Sequence, residues 1–290
     1  MIQPANCYAR VQLILGELDL LRQEVGRPRD DRPTYKITGA APREVFFEAT
    51  ALFRKADRFC FERTGEEGYL PHPPAAADIE PAHVLVVLDA ALDRIRQVKD
   101  QLHITEATTE PAVDPARQPT DVLGAVLEAS RQLNRLLDQP FTPSDVYQLL
   151  TLGAGYAARL CAHAGVEMPA PPPYERRKRP GDVFARVWAC LGALREVSAT
   201  AGLTMLEPGA APYAVDDVLP SDCYDATSLL ISELVYLHSR VKGLAPPGAA
   251  EMYEVGHKIP AHCYRRVAHL ESGLRALAVA VSEQPALLRG

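Results

Sequence analysis

The sequence has few aromatic residues, no long apolar run and no closely spaced pair of cysteines. Aromatic residues make up 7% of its 290 residues. The longest apolar run, 276–281, is far shorter than the roughly 20 residues that span a bilayer. The six cysteines show neither a CxxC pair nor a zinc-ligand spacing. These absences argue against membrane insertion within this chain, a cysteine-based zinc site and a disulfide-dense miniprotein.

A basic excess is also lacking. The chain carries 31 Lys and Arg against 37 Asp and Glu, a net charge of −6, whereas a generic nucleic-acid binder usually carries a positive excess. Hydrophobic residues make up 47% and charged residues 23%, the balance of an ordinary soluble globular protein. We therefore expect no nucleic-acid partner. Proline is abundant, with 25 copies.

The prolines form part of a repeat. A phrase of proline, any residue, a polar residue (Asp, Glu, Asn or His), then Val or Cys and usually an aromatic residue occurs eight times. Successive copies are 37 to 40 residues apart, except that 24 residues separate the fourth from the fifth. The copies begin at Pro4, Pro42, Pro81, Pro119, Pro143, Pro180, Pro220 and Pro260.

Each phrase predicts the start of an α-helix. Proline suits the first helical position because the N–H that it lacks would have no partner there. A polar residue two positions later, at N3, can bind the backbone N–H of the N-cap residue. Thr142 with Asp145 is the fullest version, and the Val or Cys that follows is expected to pack as a small apolar staple. The acidic N3 residues include Asp121, Asp145, Asp182 and Asp222.

The short spacing divides the eight phrases into two groups of four. Over residues 1–38, an offset of 139 gives eight identities, among them Gly16 with Gly155 and Tyr35 with Tyr174. This similarity indicates a tandem duplication, with a first four-helix half at 1–139 and a second at 140–290. An apolar stripe at helical spacing follows each phrase, no strand signal competes, and the predicted class is all-α, with two four-helix bundles.

The linkers between the predicted helices are long for a bundle, at some 15 residues rich in Pro, Gly and Ala. Up-and-down bundles usually turn in 2 to 8 residues. An extended 15-residue linker reaches up to roughly 50 Å, enough to return along a helix. The length therefore favours parallel helices joined by crossovers, while antiparallel helices with long loops stay open as the alternative.

Metal-ligand patterns are weak. Glu254 and His257 have the Glu-x-x-His spacing of carboxylate-bridged metal bundles, but they fall in a linker, where a solvated segment is the commoner explanation. His262 and His269 are seven residues apart on the last helix, and His238 lies on the helix before. His262 stands where other copies have Asp, which predicts a capping role. We expect no bound metal, no cofactor and no catalytic residue.

One basic run stands out as a candidate surface for a ligand or partner. It follows a proline run and Tyr174, and Tyr35 with Lys36 stands at the corresponding place in the first half. The repeated tyrosine is expected to anchor the linker to its bundle. The run itself is either a solvated linker or a site for an anionic ligand or an acidic partner. It consists of Arg176, Arg177, Lys178 and Arg179.

The residues that recur serve packing and capping, and no group of polar residues that could form a site recurs with them. This pattern favours a non-enzymatic binding or assembly module, in signalling or as a scaffold, whose partner is another protein or a second copy. The alternative is a sensor that binds a small molecule or a metal ion between helices or halves. The compartment stays open: cytoplasmic if the chain is complete, periplasmic if a leader or anchor has been removed.

Overall fold

A computed structural model describes residues 1–70, 72, 74–211, 213–248 and 256–288. These residues form eight α-helices, and each begins at a predicted proline, which confirms the all-α class and the eight helix starts. No described helix is both long and apolar enough to cross a membrane. The helices are α1 Pro4–Glu24, α2 Pro42–Thr64, α3 Pro81–Gln101, α4 Pro119–Asn134, α5 Pro143–His163, α6 Pro180–Thr200, α7 Pro220–Ser239 and α8 Pro260–Glu283.

All eight helices begin with the same hydrogen bond. The N3 side chain accepts the backbone N–H of the N-cap residue, as in Ala41 to Glu44 at 2.8 Å and Leu219 to Asp222 at 2.7 Å. The reciprocal half of a capping box is missing even at Thr142, whose hydroxyl donates to the Asp145 carboxylate at 2.7 Å. The helix starts therefore depend on the N3 residue rather than on the N-cap side chain.

The chain forms two compact units, residues 1–35 with 40–140, and residues 36–39 with 141–290. In the first unit, the starts of α1 to α4 surround a small apolar dimple lined by prolines and N4 residues. The second unit has the same arrangement at the starts of α5 to α8. Four helix starts at one end mean that the helices of each unit run parallel. The predicted duplication and its boundary at 139 stay predictions.

Helices that are consecutive along the chain are not always neighbours. In the first unit α1 and α2 each pack against both α3 and α4, and in the second unit α5 and α6 each pack against both α7 and α8. Linkers cross back outside the bundle and pass close to a repeated glycine. A Cβ atom at Gly16 would lie 3.3 Å from Thr108, and one at Gly155 would lie 3.0 Å from Pro247.

Two short strands depart from the sequence prediction. Residues Ile37–Thr38 (β1) pair antiparallel with Glu207–Pro208 (β2), and both belong to the second unit. The backbone N–H of Gly209 donates to the Lys36 carbonyl at 2.7 Å, and Trp188 donates from Nε1 to the Gly209 carbonyl at 2.8 Å. Two-residue strands about 170 positions apart carry no local periodicity, so the sequence could not indicate them.

Buried charges in the first unit hold a linker in place. Glu17 on α1 is almost fully buried, and it accepts hydrogen bonds from Lys99 of α3 and from the linker residue Thr108, each at 2.7 Å. Arg96 adds a third bond at 3.0 Å. These bonds outweigh the desolvation of the carboxyl and keep the pKa of Glu17 below its ordinary value. The positions of Glu17 and Lys99 correspond to Tyr156 and His238 in the second unit. The ring centroids of Tyr156 and His238 are 5.1 Å apart.

Candidate anion-binding cleft

The linker between α5 and α6 lies along the first turns of α8. The Pro172 carbonyl accepts a hydrogen bond from Arg265 Nε at 2.8 Å, and the Tyr174 ring packs on His262 with centroids 5.4 Å apart. Further along the linker, Lys178 Nζ lies 4.0 Å from the ring centroid of Tyr264. These contacts bring the basic run predicted from the sequence beside the arginines of α8. We call Arg176, Arg177, Lys178, Arg265 and Arg266 the basic face.

An open cleft of about 180 Å³ lies beside this linker. Within the described part of the chain its lining residues come from α5, from the linker and from α8, and none of them is acidic. Arg266 donates to the hydroxyl oxygen of Tyr147 at 2.5 Å, and its guanidinium lies 4.9 Å from the centre of that ring. The lining residues are Tyr147, Pro171, His262, Arg265, Arg266 and His269.

The two histidines of the cleft are fixed by backbone groups. His262 Nδ1 accepts the backbone N–H of Ile259 at 3.2 Å, the capping bond that its register predicts. His269 Nε2 donates to the Pro169 carbonyl at 2.8 Å, a hydrogen bond that ties the linker to α8. Burial is the largest influence on His269, and together with the charges of Arg266 and Arg265 it lowers the pKa of this histidine below the ordinary value.

Lys258 adds a further positive charge at the edge of Tyr147. Its Nζ lies 4.7 Å from the centre of the Tyr147 ring, a cation–π contact. Arg117 stands at the same register of the first unit, and its guanidinium lies 4.4 Å from the ring centre of Tyr8. This pair is common to both units and therefore belongs to the scaffold.

The other basic groups of the cleft have no counterpart in the first unit. Counted from the helix-starting proline, the positions of His262, Arg265, Arg266 and His269 on α8 hold Asp121, Gly124, Ala125 and Glu128 on α4. The first unit forms the same arrangement of helix starts with these neutral and acidic residues. The positive charge of the cleft is therefore a feature of the second unit and not a requirement of the helix packing.

The residues predicted to form a ligand or partner surface differ in their exposure and in their contacts. Tyr35 is buried with 8% of its surface exposed, whereas Tyr174 is 41% exposed. The Lys36 side chain is exposed while its backbone joins the strand pair. Arg179 pairs with Asp216 at 2.5 Å, and Lys178 pairs with Glu175 at 2.8 Å. Arg176 and Arg177 are exposed on the linker.

The candidate metal ligands do not come together in the described part of the chain. No group of three or more His, Cys, Asp or Glu side chains there could hold a metal ion. His238 Nε2 donates to the Ala245 carbonyl at 3.1 Å, and His257 is exposed. His262 and His269 make the backbone contacts described above. Glu254 lies outside the described residues.

Sequence reasoning missed Arg265 and Arg266. A signal was present, because they form the only pair of consecutive basic residues at the sixth and seventh positions of any of the eight helices. The partners of this pair, however, are the Pro172 carbonyl and the Tyr147 hydroxyl, 93 and 119 positions away in the chain. Only the folded structure brings them together.

Comparisons with known proteins give no relative for this chain. It matches no protein-family model, no curated protein and no solved structure. Function is therefore argued from the site itself.

Proposed function

We propose that the chain is a non-enzymatic binding module whose second unit binds an acidic segment of a partner protein. The observation that carries this proposal is the basic face beside the cleft, where α8 has Arg265 and Arg266 at positions that hold Gly124 and Ala125 on α4. A surface that the scaffold does not need points to recognition. Clustered positive charge attracts an acidic partner and speeds its association.

One arginine of this surface is positioned by a neutral group. Arg265 donates from Nε to the Pro172 carbonyl at 2.8 Å. Such a contact orients a guanidinium without neutralising it, and an oriented guanidinium binds a carboxylate with two parallel hydrogen bonds. The surface therefore combines charge with defined donor geometry.

A second candidate function is a small-molecule sensor. The cleft holds about 180 Å³, less than the roughly 300–1,000 Å³ of pockets for drug-sized ligands, so a ligand held there would be a small anion. The two functions use different parts of the surface. A protein partner would contact Arg176 and Arg177 on the exposed linker. A small anion in the cleft would depend on Arg265 and not on those two arginines.

The test is a titration of a fluorescent hexaglutamate peptide with the full chain at two salt concentrations. We expect saturable binding that weakens at higher salt, and a clear loss in the double variant Arg176→Gln with Arg177→Gln. Arg195→Gln is the matched control, because it removes one exposed guanidinium of the same unit, paired with Glu207 at 3.3 Å. No binding of hexaglutamate, or binding that the double variant leaves unchanged, would contradict the acidic-partner proposal.

Native mass spectrometry of the full chain separates the remaining possibilities. A copurified small molecule would favour the sensor, and a dimer would favour self-association. A bare chain of 31.7 kDa leaves the protein-binding proposal ahead.

A further inference from the structure

The charge of the chain is unevenly distributed between its two units. In the second unit Lys and Arg equal Asp and Glu in number, so the whole net charge of −6 belongs to the first unit. The basic face belongs to the second unit. Because one chain carries an acidic unit and a basic surface, two copies can attract each other through unlike surfaces.

The linker between α2 and α3 concentrates acidic charge in the first unit. Residues 65–80 contain four acidic residues and neither lysine nor arginine. All four side chains are exposed, and none of them forms an ion pair with any residue that the structure describes. They are Glu66, Glu67, Asp78 and Glu80.

The backbone at the start of this linker is held by the helices on either side of it. Arg94 of α3 donates to the Glu66 carbonyl, and the Gly68 N–H donates to the Asp57 carboxylate of α2 at 2.7 Å. The next residue, Tyr69, is 85% exposed. Carboxylates and an aromatic ring are therefore displayed from a backbone that is already fixed, and such a segment loses little conformational freedom when it binds.

Acidic residues beside an exposed tyrosine suit a surface of arginines. We call Glu66, Glu67 and Tyr69 the acidic tip. A guanidinium forms paired hydrogen bonds with a carboxylate and also stacks on the face of an aromatic ring. Tyrosine is enriched among the residues that dominate binding at protein interfaces, because its ring removes a large apolar area from water. The acidic tip therefore has the composition of a segment that arginines bind.

Three arginines of the basic face are open to such a segment. Arg176 and Arg177 are exposed on the linker before α6, and Arg265 is exposed on α8. None of the three forms an ion pair within the described part of the chain. Arg265 is held in place through Nε by the Pro172 carbonyl, which leaves its two terminal nitrogens for a carboxylate.

We propose that the basic face binds the acidic tip of a second copy of this chain. This inference rests on the proposed function, because it names the acidic segment that the second unit binds. Arg176, Arg177 and Arg265 contact the two glutamates and the tyrosine of that tip. Each copy carries both surfaces, so a second copy supplies the acidic partner without any other protein.

The experiment is sedimentation equilibrium of the full chain over a range of protein concentrations at low and high salt. We expect self-association that weakens as salt screens the charges. Two double variants each remove one surface, and each should weaken the association at least about tenfold. They are Glu66→Gln with Glu67→Gln, and Arg176→Gln with Arg177→Gln.

A mixture of the two double variants gives the sharpest test. Alone, each variant lacks the same surface in every copy, whereas an equimolar mixture restores one intact contact between unlike copies. The mixture should therefore form a complex of two chains that neither variant forms alone. A mixture that remains monomeric overturns the inference.

Matched controls separate the contact from a general effect of charge. Each control removes two exposed charges of the same sign from the same unit, and each should leave the association within about twofold. Circular dichroism checks that every variant keeps its helices. The controls are Glu24→Gln with Glu106→Gln, and Arg195→Gln with Lys242→Gln.

The failures of the two proposals are distinguishable. Hexaglutamate binding by a chain that stays monomeric overturns this inference and leaves the acidic-partner proposal standing. Self-association that either double variant leaves unchanged places the contact elsewhere and also overturns the inference. Complex formation in the mixture without hexaglutamate binding supports the inference and overturns acidic residues without a tyrosine as the ligand. A monomeric chain that also fails to bind hexaglutamate overturns both proposals.

Discussion

The third residue of each helix has the largest local influence on how the helix begins. Its side chain takes the N-cap N–H in all eight helices, and the chemistry differs only between carboxylate, amide and imidazole, as at Asp145, Asn6 and His262. At His262 this structural task coincides with a place in the cleft. Carboxylate, amide and imidazole side chains therefore cap these helices through the same bond.

The capping role of His262 can be tested by substitution. His262→Asp should keep the cap, since aspartate holds this position in four other helices, and stability should change by no more than about 0.5 kcal/mol. His262→Ala should lose about 1 kcal/mol because the Ile259 N–H loses its acceptor. Urea unfolding measures both changes in stability, and a large loss of stability in His262→Asp would contradict the capping role.

Two histidines that bind linker carbonyls, His238 and His269, predict a pH dependence of stability. Burial lowers the pKa of His238 and His269 in the folded state, so the unfolded chain binds protons more readily below about pH 6.5. Their stabilisation is present above that pH and is lost as the pH falls through the folded-state values. His238 is buried and His269 is half-buried, but in both residues the hydrogen bond to a backbone carbonyl partly offsets the effect of burial on the pKa, so the loss should be on the order of 1 kcal/mol or less.

Urea midpoints at pH 7.5 and pH 5.5 measure this effect. The double variant His238→Gln with His269→Gln provides the control, because glutamine can still donate to the Ala245 and Pro169 carbonyls but does not titrate. Its midpoint should shift less between the two pH values than that of the natural chain. An equal shift in both proteins would place the pH dependence in other groups.

Two glycines of α6 show where a linker packs closely against a helix and where it does not. Gly181, the second residue of α6, has no room for a side chain, because a Cβ atom there would clash with the Val215 carbonyl of the following linker. Gly192 on the same helix has open space around its Cα. Each glycine costs helix propensity, but only the first is required by packing.

This difference gives a matched pair of variants. Gly181→Ala should destabilise the chain by about 1–3 kcal/mol, because α6 and the linker must move apart. Gly192→Ala should stabilise it by about 0.5–1 kcal/mol, because alanine restricts the unfolded chain and favours the helix. Urea unfolding followed by Trp188 fluorescence measures both. A neutral Gly181→Ala would show that the linker does not rest on α6 in solution.

The chain forms two compact units, and the four helices within each unit run parallel to one another. We expect a fragment of residues 141–290 to fold, since its four helices and their core lie within one unit. Its circular dichroism should be helical. Its Trp188 transition should fall at lower denaturant than in the full chain, because β1 at residues 37–38 is missing from the fragment. A random-coil spectrum would refute the two-unit description.

The positions of the helix starts follow from local sequence alone. The proline at N1 and the acceptor at N3 act within four residues, so their effect is independent of what the helix later packs against. Helix ends are nearly as local, since Gly26 and Gly165 at corresponding places both adopt positive φ, which favours glycine after a helix. The apolar stripes likewise indicated the all-α class.

The paths of the linkers and the position of the cleft, by contrast, depend on how distant parts of the chain pack together. Linker length permitted two helix orientations, and the choice depends on which helix surfaces bury one another across 40 or more residues. The burial of Glu17 with Lys99, the pairing of β1 with β2 and the anchoring of Arg265 on Pro172 all join distant parts of the chain. Such contacts leave no local periodicity, because their energies arise from desolvation and charge in the packed state.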